Sequence, residues 1–236
     1  MVTEEQVREY FSYVGEIIIA KDVVDIIGSA YISKFMSSLP FKFGEVTELF
    51  RINNAGLTSL VGCPDSVGKT FSCQANKLKS LDGCPQTVGG WFECHNNELE
   101  SLAGCPRKVE NFYCYDNQLT SLIGGPTEVS SEYDCSKNFL TSLEGCPKII
   151  PGGFLCNDNN LSSYNGLPDS VGFLLCDWIE NAPILSLLKY PSVNIDNNNV
   201  IELILHKYVG QKPLRQAIIK CQRELIDNGF EGNAKL

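Results

Sequence analysis

Six leucines recur through the middle of this 236-residue chain at near-constant spacing: Leu57, Leu78, Leu99, Leu119, Leu140 and Leu161, separated by 21, 21, 20, 21 and 21 residues. A strict period of this length restricts the chain to solenoids, because one short unit cannot bury its apolar face alone and must stack on its neighbours. The clearest copies read L-x-S-L-x-G-C-P, then V-x-x-x-F-x-C-x-x-N-x-L. Within each unit, triplets such as Phe71-Ser72-Cys73 alternate inward and outward side chains, as a short strand does. The counterparts are Phe92/Cys94, Phe112/Cys114, Tyr133/Cys135, Phe154/Cys156 and Leu174/Cys176, with a degenerate copy at Phe50/Ile52. The expectation is a parallel sheet of about seven strands, roughly 30 Å across at about 4.8 Å per strand.

Three residues after each inner cysteine stands an asparagine: Asn76, Asn97, Asn117, Asn138 and Asn159. A buried amide must satisfy its donors and acceptor. A column of asparagines bonding to the backbone of adjacent turns would do so and hold the bend after the strand. The corresponding end positions are Ala55 and Ile179, so the ladder is expected to stop there. The return limb reads Gly62-Cys63-Pro64, Gly83-Cys84-Pro85, Gly104-Cys105-Pro106 and Gly145-Cys146-Pro147, and varies to Gly124-Gly125-Pro126 and Gly166-Leu167-Pro168. Glycine permits the turn and proline fixes an extended kink.

The unit resembles the leucine-rich repeat L-x-x-L-x-L-x-x-N-x-L in its short form, with no room for a convex helix. The fold class expected is therefore an α/β solenoid, with helical caps over its apolar ends. Val7, Tyr10, Phe11, Val14 and Ile18, then Val23, Ile26, Ile27, Tyr31 and Phe35, recur at helical spacing. Residues 1–45 thus read as an N-terminal helical cap, 46–180 as the repeats and 181–236 as a C-terminal helical cap. Thr3 and Gln6 have capping-box spacing. Helices are expected near 182–190, 200–208 and 213–227. Pro213 is expected at a first helical position, and Asn228-Gly229 should close the last helix with Phe230 packed back on Leu225.

Ten of the 11 cysteines lie in the repeats and the last is Cys221. The odd total and the absence of a basic start at Met1-Val2-Thr3 lead to an expectation of free thiols in a reducing, cytoplasmic compartment. No C-x-x-C pair exists, so no zinc site is expected. Stacked cysteine columns come within disulfide reach, and spacing alone leaves bridges open. The reading that fits best is core packing by small apolar thiols. The most apolar stretch, near 17–27, carries Lys21, Asp22 and Asp25, which argues against a membrane helix.

Residues 46–180 carry 16 acids and 8 bases, net −8, whereas 181–236 carries 5 acids and 7 bases, net +2. An acidic repeat face disfavours nucleic acid, whose binding relies on neutralising phosphates, and favours a protein partner with a basic surface. Strand alternation places Arg51, Ser72, Glu93, Tyr113, Asp134, Leu155 and Leu175 on the concave face, followed by Asn53, Gln74, His95, Tyr115, Ser136, Asn157 and Asp177. The candidate partner-binding residues are Trp91, Glu93, His95, Tyr113, Tyr115, Asp116, Asp134, Asp158, Asp177 and Trp178, since Tyr and Trp anchor interfaces. For Phe173, Leu175 and Trp178 the competing reading is packing under the C-terminal cap.

Catalysis finds little support. The two histidines, His95 and His206, belong to no Ser/His/Asp or Cys/His motif, and no P-loop, dinucleotide fingerprint or HExxH appears. Glu93 and Asp134 form a carboxylate pair, but on a wide sheet rather than in an enclosed pocket. No cofactor is implied. The repeated L-T-S-L-x-G-C-P…F-x-C-x-x-N pattern, with the ending Asn228-Gly229-Phe230-Glu231-Gly232-Asn233, resembles small leucine-rich-repeat proteins encoded by tailed bacteriophages. That resemblance implies a non-enzymatic binder in the infected cytoplasm, directed at a host or defence protein. The alternative it leaves is an assembly component of the phage particle. The repeats are also similar to those of secreted bacterial ubiquitin-ligase effectors, which implies an adaptor at most. The 56 residues after the repeats cannot hold that family's catalytic domain.

Overall fold

In the computed structural model, which describes residues 1–235, the repeats wind into a solenoid of stacked parallel turns. A seven-residue helix, α1 (Glu4–Tyr10), leads into an antiparallel hairpin of β1 (Phe11–Ala20) and β2 (Val23–Ile32). From the second half of β2 a front sheet continues through Phe50–Arg51, Phe71–Ser72, Trp91–Glu93, Asn111–Tyr113, Tyr133–Asp134, Ile149–Leu155, Ser170–Asp177 and Val193–Asp196. That path holds nine strands rather than the seven expected, a span of about 38 Å at about 4.8 Å per strand. The two extra strands come from β2 and Val193–Asp196, segments that lack the repeat motif yet supply the same backbone edge.

The earlier turns also carry a second short strand at the repeated valine, set off by a corner. Lys42–Val46, Ser66–Val67 and Thr87–Val88 stack on the first half of β2 to form a side sheet. Lys108–Val109 and Glu128–Val129 pair only with each other. The first break coincides with a change in corner length. Three residues separate Val88 from Phe92 across the corner, but two separate Val109 from Phe112. No backbone hydrogen bond joins residues 86–89 to residues 107–109, and a groove of about 740 Å³ opens between them. Where the corner shortens again before Leu174, the loss is absorbed as a register shift between Ile150 and Gly153.

The core is a continuous column. Phe50, Phe71, Phe92, Phe112, Tyr133 and Phe154 follow one another at ring-centroid distances of 6.2, 5.2, 5.6, 5.0 and 5.8 Å. Tyr133 is the one tyrosine in this spine, and it explains a return-limb irregularity. A Cβ built at Gly125, where most units carry cysteine, would lie 3.2 Å from the Tyr133 hydroxyl and 2.9 Å from Leu102 Cδ1. The extra oxygen of Tyr133 occupies the space that the missing thiol vacates.

The asparagine ladder forms. Asn117 Oδ1 accepts the Leu99 N–H at 3.0 Å, while its Nδ2 donates to the Cys94 and Cys114 carbonyls at 3.1 and 3.0 Å. Asn76, Asn97, Asn138 and Asn159 repeat this pattern, each tying its own turn to the preceding one. The residue before each ladder asparagine is left-handed: Ala75, Asn96, Asp116, Lys137 and Asp158 have φ of 55, 54, 55, 53 and 55°. All 11 cysteines are free thiols, and all but Cys146 are buried. Burial raises the thiol pKa of Cys73, Cys94 and Cys114 well above its ordinary value, which keeps them inert as nucleophiles.

The ends differ from the helical caps expected. Only Glu4–Tyr10 is helical at the N-terminus, with the Thr3/Gln6 capping box in place. Val14, Ile18, Val23, Ile26, Ile27 and Tyr31 are strand residues, and Phe35 follows the hairpin. Their helical spacing misled because β-branched residues dominate both segments and each contains a glycine, Gly15 or Gly28, that disfavours helix. Lys21 and Asp22, at φ 52 and 64°, make the two-residue turn between them. Gly15 and Gly28 lie opposite each other with φ of 116 and 140°, and bend the hairpin around the same corner that every later turn makes.

At the C-terminus, a 3-10 helix (Leu185–Lys189) precedes the last strand, and α2 (Asn199–His206) and α3 (Leu214–Asp227) follow. Pro213 is extended and caps α3 rather than entering it. The stop is a full Schellman motif. The N–H of Phe230 donates to the Leu225 carbonyl at 2.8 Å, and that of Gly229 to the Ile226 carbonyl at 3.0 Å. Among the described residues, no helix is long and apolar enough to cross a membrane.

Candidate binding face

Register gathers most of the candidate residues on three neighbouring strands of the front sheet. Tyr113 stands opposite Glu93 on one side and Asp134 on the other, so the three side chains form one cross-strand row. Trp91 stands opposite Asn111, and its ring meets Tyr113 edge-on at 6.1 Å and 78°. One step along the strands, His95 and Tyr115 stack at 4.2 Å and 14°. Aromatic pairs in these geometries gain about 0.5–1.5 kcal/mol beyond their area burial. The rings therefore hold one another in place before any partner arrives.

The polar groups are partly spoken for. Asn111, which sequence reasoning missed, is buried. Its Nδ2 donates to the Tyr113 hydroxyl at 3.0 Å, and its Oδ1 accepts the Glu132 N–H at 3.1 Å. The available signal was its position in the flanking column between Trp91 and Glu132. Burial, reinforced by the neighbouring Glu132 carboxylate, pushes the Tyr113 hydroxyl up to about 12. Asp134 Oδ1 accepts both the Ser136 N–H and its hydroxyl, at 2.9 and 2.6 Å. Burial nonetheless raises the Asp134 pKa against these bonds. Ser136, placed on the exposed face by alternation, is instead buried in this bond.

His95 is the most enclosed of the candidates, at 7% exposure, and among the described residues its Nδ1 has no hydrogen-bond partner. Burial lowers its pKa, with Glu93 and Asp116 pulling the other way. The ring is thus neutral at neutral pH, with its unused Nδ1 buried amid acidic and aromatic neighbours. Among the described residues, no cluster of three or more His, Cys, Asp and Glu side chains has metal-binding geometry.

The remaining candidates have separate duties. Asp116 and Asp158 are exposed, but both occupy the left-handed corner that aspartate tolerates well, a structural reason for their type. Asp177, three strands from Tyr113, accepts the Asn159 N–H at 3.2 Å and the Asn197 side-chain amide at 2.8 Å. Trp178 packs edge-on against Phe230 at 6.5 Å, which places it under the C-terminal segment. The structure therefore joins Trp91, Glu93, His95, Tyr113, Tyr115 and Asp134 into one patch with Asp116 at its rim. It leaves Asp158, Asp177 and Trp178 outside.

The patch is an open sheet face of fixed rings and carboxylates, suited to holding a surface rather than enclosing a small molecule. No protein-family model, curated protein or solved structure matches this chain.

Proposed function

We propose that this chain is a non-enzymatic binding protein that engages a protein partner with a basic surface through the front-sheet patch around Tyr113. The observation that carries the reading is the preassembled aromatic cluster on three adjacent strands: Trp91 against Tyr113, and His95 stacked on Tyr115. Rigid aromatic anchors at the centre of a face, flanked by Glu93 and Asp134, match the composition of interface hot spots. The acid excess of the repeats, net −8 over 46–180, steers a basic partner toward this surface. The residue pattern further supports a short leucine-rich repeat of the kind encoded by tailed phages. On that resemblance, the partner is a host or defence protein of the bacterial cytoplasm, bound in order to inhibit or modulate it.

The test is capture of partners from infected and uninfected cells by tagged protein, with mass spectrometry. The double variant Tyr113→Ala, Tyr115→Ala is expected to lose capture with its fold retained, since each central aromatic anchor contributes at least about 2 kcal/mol, roughly thirtyfold in affinity. Glu93→Lys with Asp134→Lys should slow association and flatten its salt dependence. Asp82→Lys, exposed on the return limb, is the control. Undiminished capture by the front-face variants, with loss in Arg215→Glu, would move recognition to the basic C-terminal segment. Co-purification with virions would instead favour a particle component.

A further inference from the structure

The two ends of the front sheet are not equivalent. The last strand, Val193–Asp196, is covered by α2, whose Ile201, Ile204 and Leu205 are buried and whose His206 Nε2 lies 3.0 Å from the Val193 carbonyl oxygen. At the other end β1 pairs with β2 alone, and apart from the Phe11 N–H, which donates to the Val7 carbonyl, no described backbone group meets its outer edge. This edge is ten residues long, holds no proline and carries one charge, Glu16. Val14 is 69% exposed and Ile18 43% exposed, while the inward-facing Ile17 and Ile19 are only half-buried for want of a further layer. Natural edge strands are ordinarily shortened, charged or interrupted to prevent pairing, and Glu16 is the one such device on β1.

We infer that β1 pairs with β1 of a second copy, antiparallel and centred on Gly15, so that two solenoids join head to head through one continuous sheet. The corner selects this occupant. Both members of the Gly15–Gly28 pair have positive φ, and a Cβ on either would run into the carbonyl oxygen of the facing strand, that of Ile27 or of Val14. A strand added outside Gly15 must follow the same bend, and β1 already follows it about a central glycine, so a second β1 laid antiparallel about Gly15 matches the edge without a change of shape. Pairing about Gly15 puts glycine opposite glycine, Tyr13 opposite Ile17 of the second copy, and Val14 opposite Glu16 of the second copy. No like charges face each other. Because α2 covers the opposite end, head-to-tail addition has no free strand to use, and association closes as a two-fold dimer rather than a filament.

Sedimentation velocity on the full chain over a hundredfold concentration range is expected to show a reversible monomer–dimer equilibrium. Val14→Cys and Glu16→Cys, both at exposed positions, then test the register. Directly opposed residues have Cα atoms about 4.5–5.5 Å apart, within disulfide reach, whereas like positions sit diagonally at about 7–8 Å, beyond it. Mild oxidation of the two variants mixed should give the mixed disulfide dimer, and each variant alone should stay monomeric on denaturing gels, as should wild type. A monomer at every concentration would overturn the inference. So would a dimer that links like positions as readily as the mixed pair.

Discussion

The N- and C-terminal ends of this solenoid solve one problem in two ways. Both must cover a core column that stacking leaves open, Phe50 at one end and Leu174 at the other. The C-terminal end changes secondary structure. After Val193–Asp196 the chain turns to α2 and α3, whose buried Ile201, Leu205, Cys221 and Leu225 close the core, while Asn233 ties the segment down. Asn233 is 2% exposed and donates to the Ile179 and Ala182 carbonyls at 2.9 Å each, taking up the asparagine ladder where Ile179 interrupts it. The N-terminal end keeps the same structure and adds one more layer. Its hairpin bends at Gly15 and Gly28, and α1 closes the layer from the hairpin turn, where the Val2 N–H meets Asp22 at 2.6 Å, back to the start of β1. A helical cover ends the stack; a strand cover leaves it able to continue.

If that contrast holds, substitutions at the closed end should cost most. Leu225→Ala removes a fully buried side chain and should lose about 2–5 kcal/mol in urea melts. Ile18→Ala on the outer face of β1 should stay within about 0.5 kcal/mol in the monomer. Asn233→Ala should cost about 1–3 kcal/mol by stranding two carbonyls. Asn117→Ala in the mid-stack ladder should fall in the same range, which would show that one device serves both places. Equal stability of Asn117→Ala and wild type would break the register described here. Gln118→Ala, exposed beside the ladder, is the matched control.

The repeat interior offers a sharper local test. Gly125→Cys restores the residue most return limbs carry, yet it should destabilise by about 1–3 kcal/mol through overpacking against Tyr133 and Leu102. Tyr133→Phe should recover most of that loss, and the coupling of the pair is read from a double-mutant cycle. Additive losses would refute the compensation.

The smallest effect concerns pH. Burial holds the folded His95 pKa below its ordinary value of 6.5, so the unfolded chain binds the proton more readily. The His95 contribution to stability is therefore full well above 6.5 and declines as pH falls through 6.5 toward the folded value. His95→Gln should remove that component of the acid slope. A ring titration by NMR at or above 6.5 would contradict the burial seen here.

Periodicity made the middle of the molecule readable. The strand triplets, the asparagine ladder and the glycine turns each repeat often enough that one degenerate copy does not mislead. The aromatic row followed from alternation alone, since Trp91, Tyr113 and Tyr115 sit where period two places them. The ends had no such redundancy. In β1 and β2 the apolar residues satisfy helical and strand spacing alike, and only the glycines and the β-branched content favour the strand. Val193–Asp196 carries no motif, because its neighbour dictates its register. Asn111 was hidden for a related reason: its role depends on the Tyr113 hydroxyl two residues along the same strand and on the Glu132 N–H of the next turn, contacts between positions rather than a residue pattern.

Hydrogen exchange on the full chain tests the contrast between the ends most directly, because it reads the two terminal strands in one sample. The account predicts that amides of Val193–Asp196 are protected at every protein concentration. Outward-facing amides of β1 should exchange rapidly in dilute solution and gain protection as concentration rises. Strong protection of the whole of β1 at high dilution, or rapid exchange of Val193–Asp196, would contradict a stack that is closed at one end and open at the other.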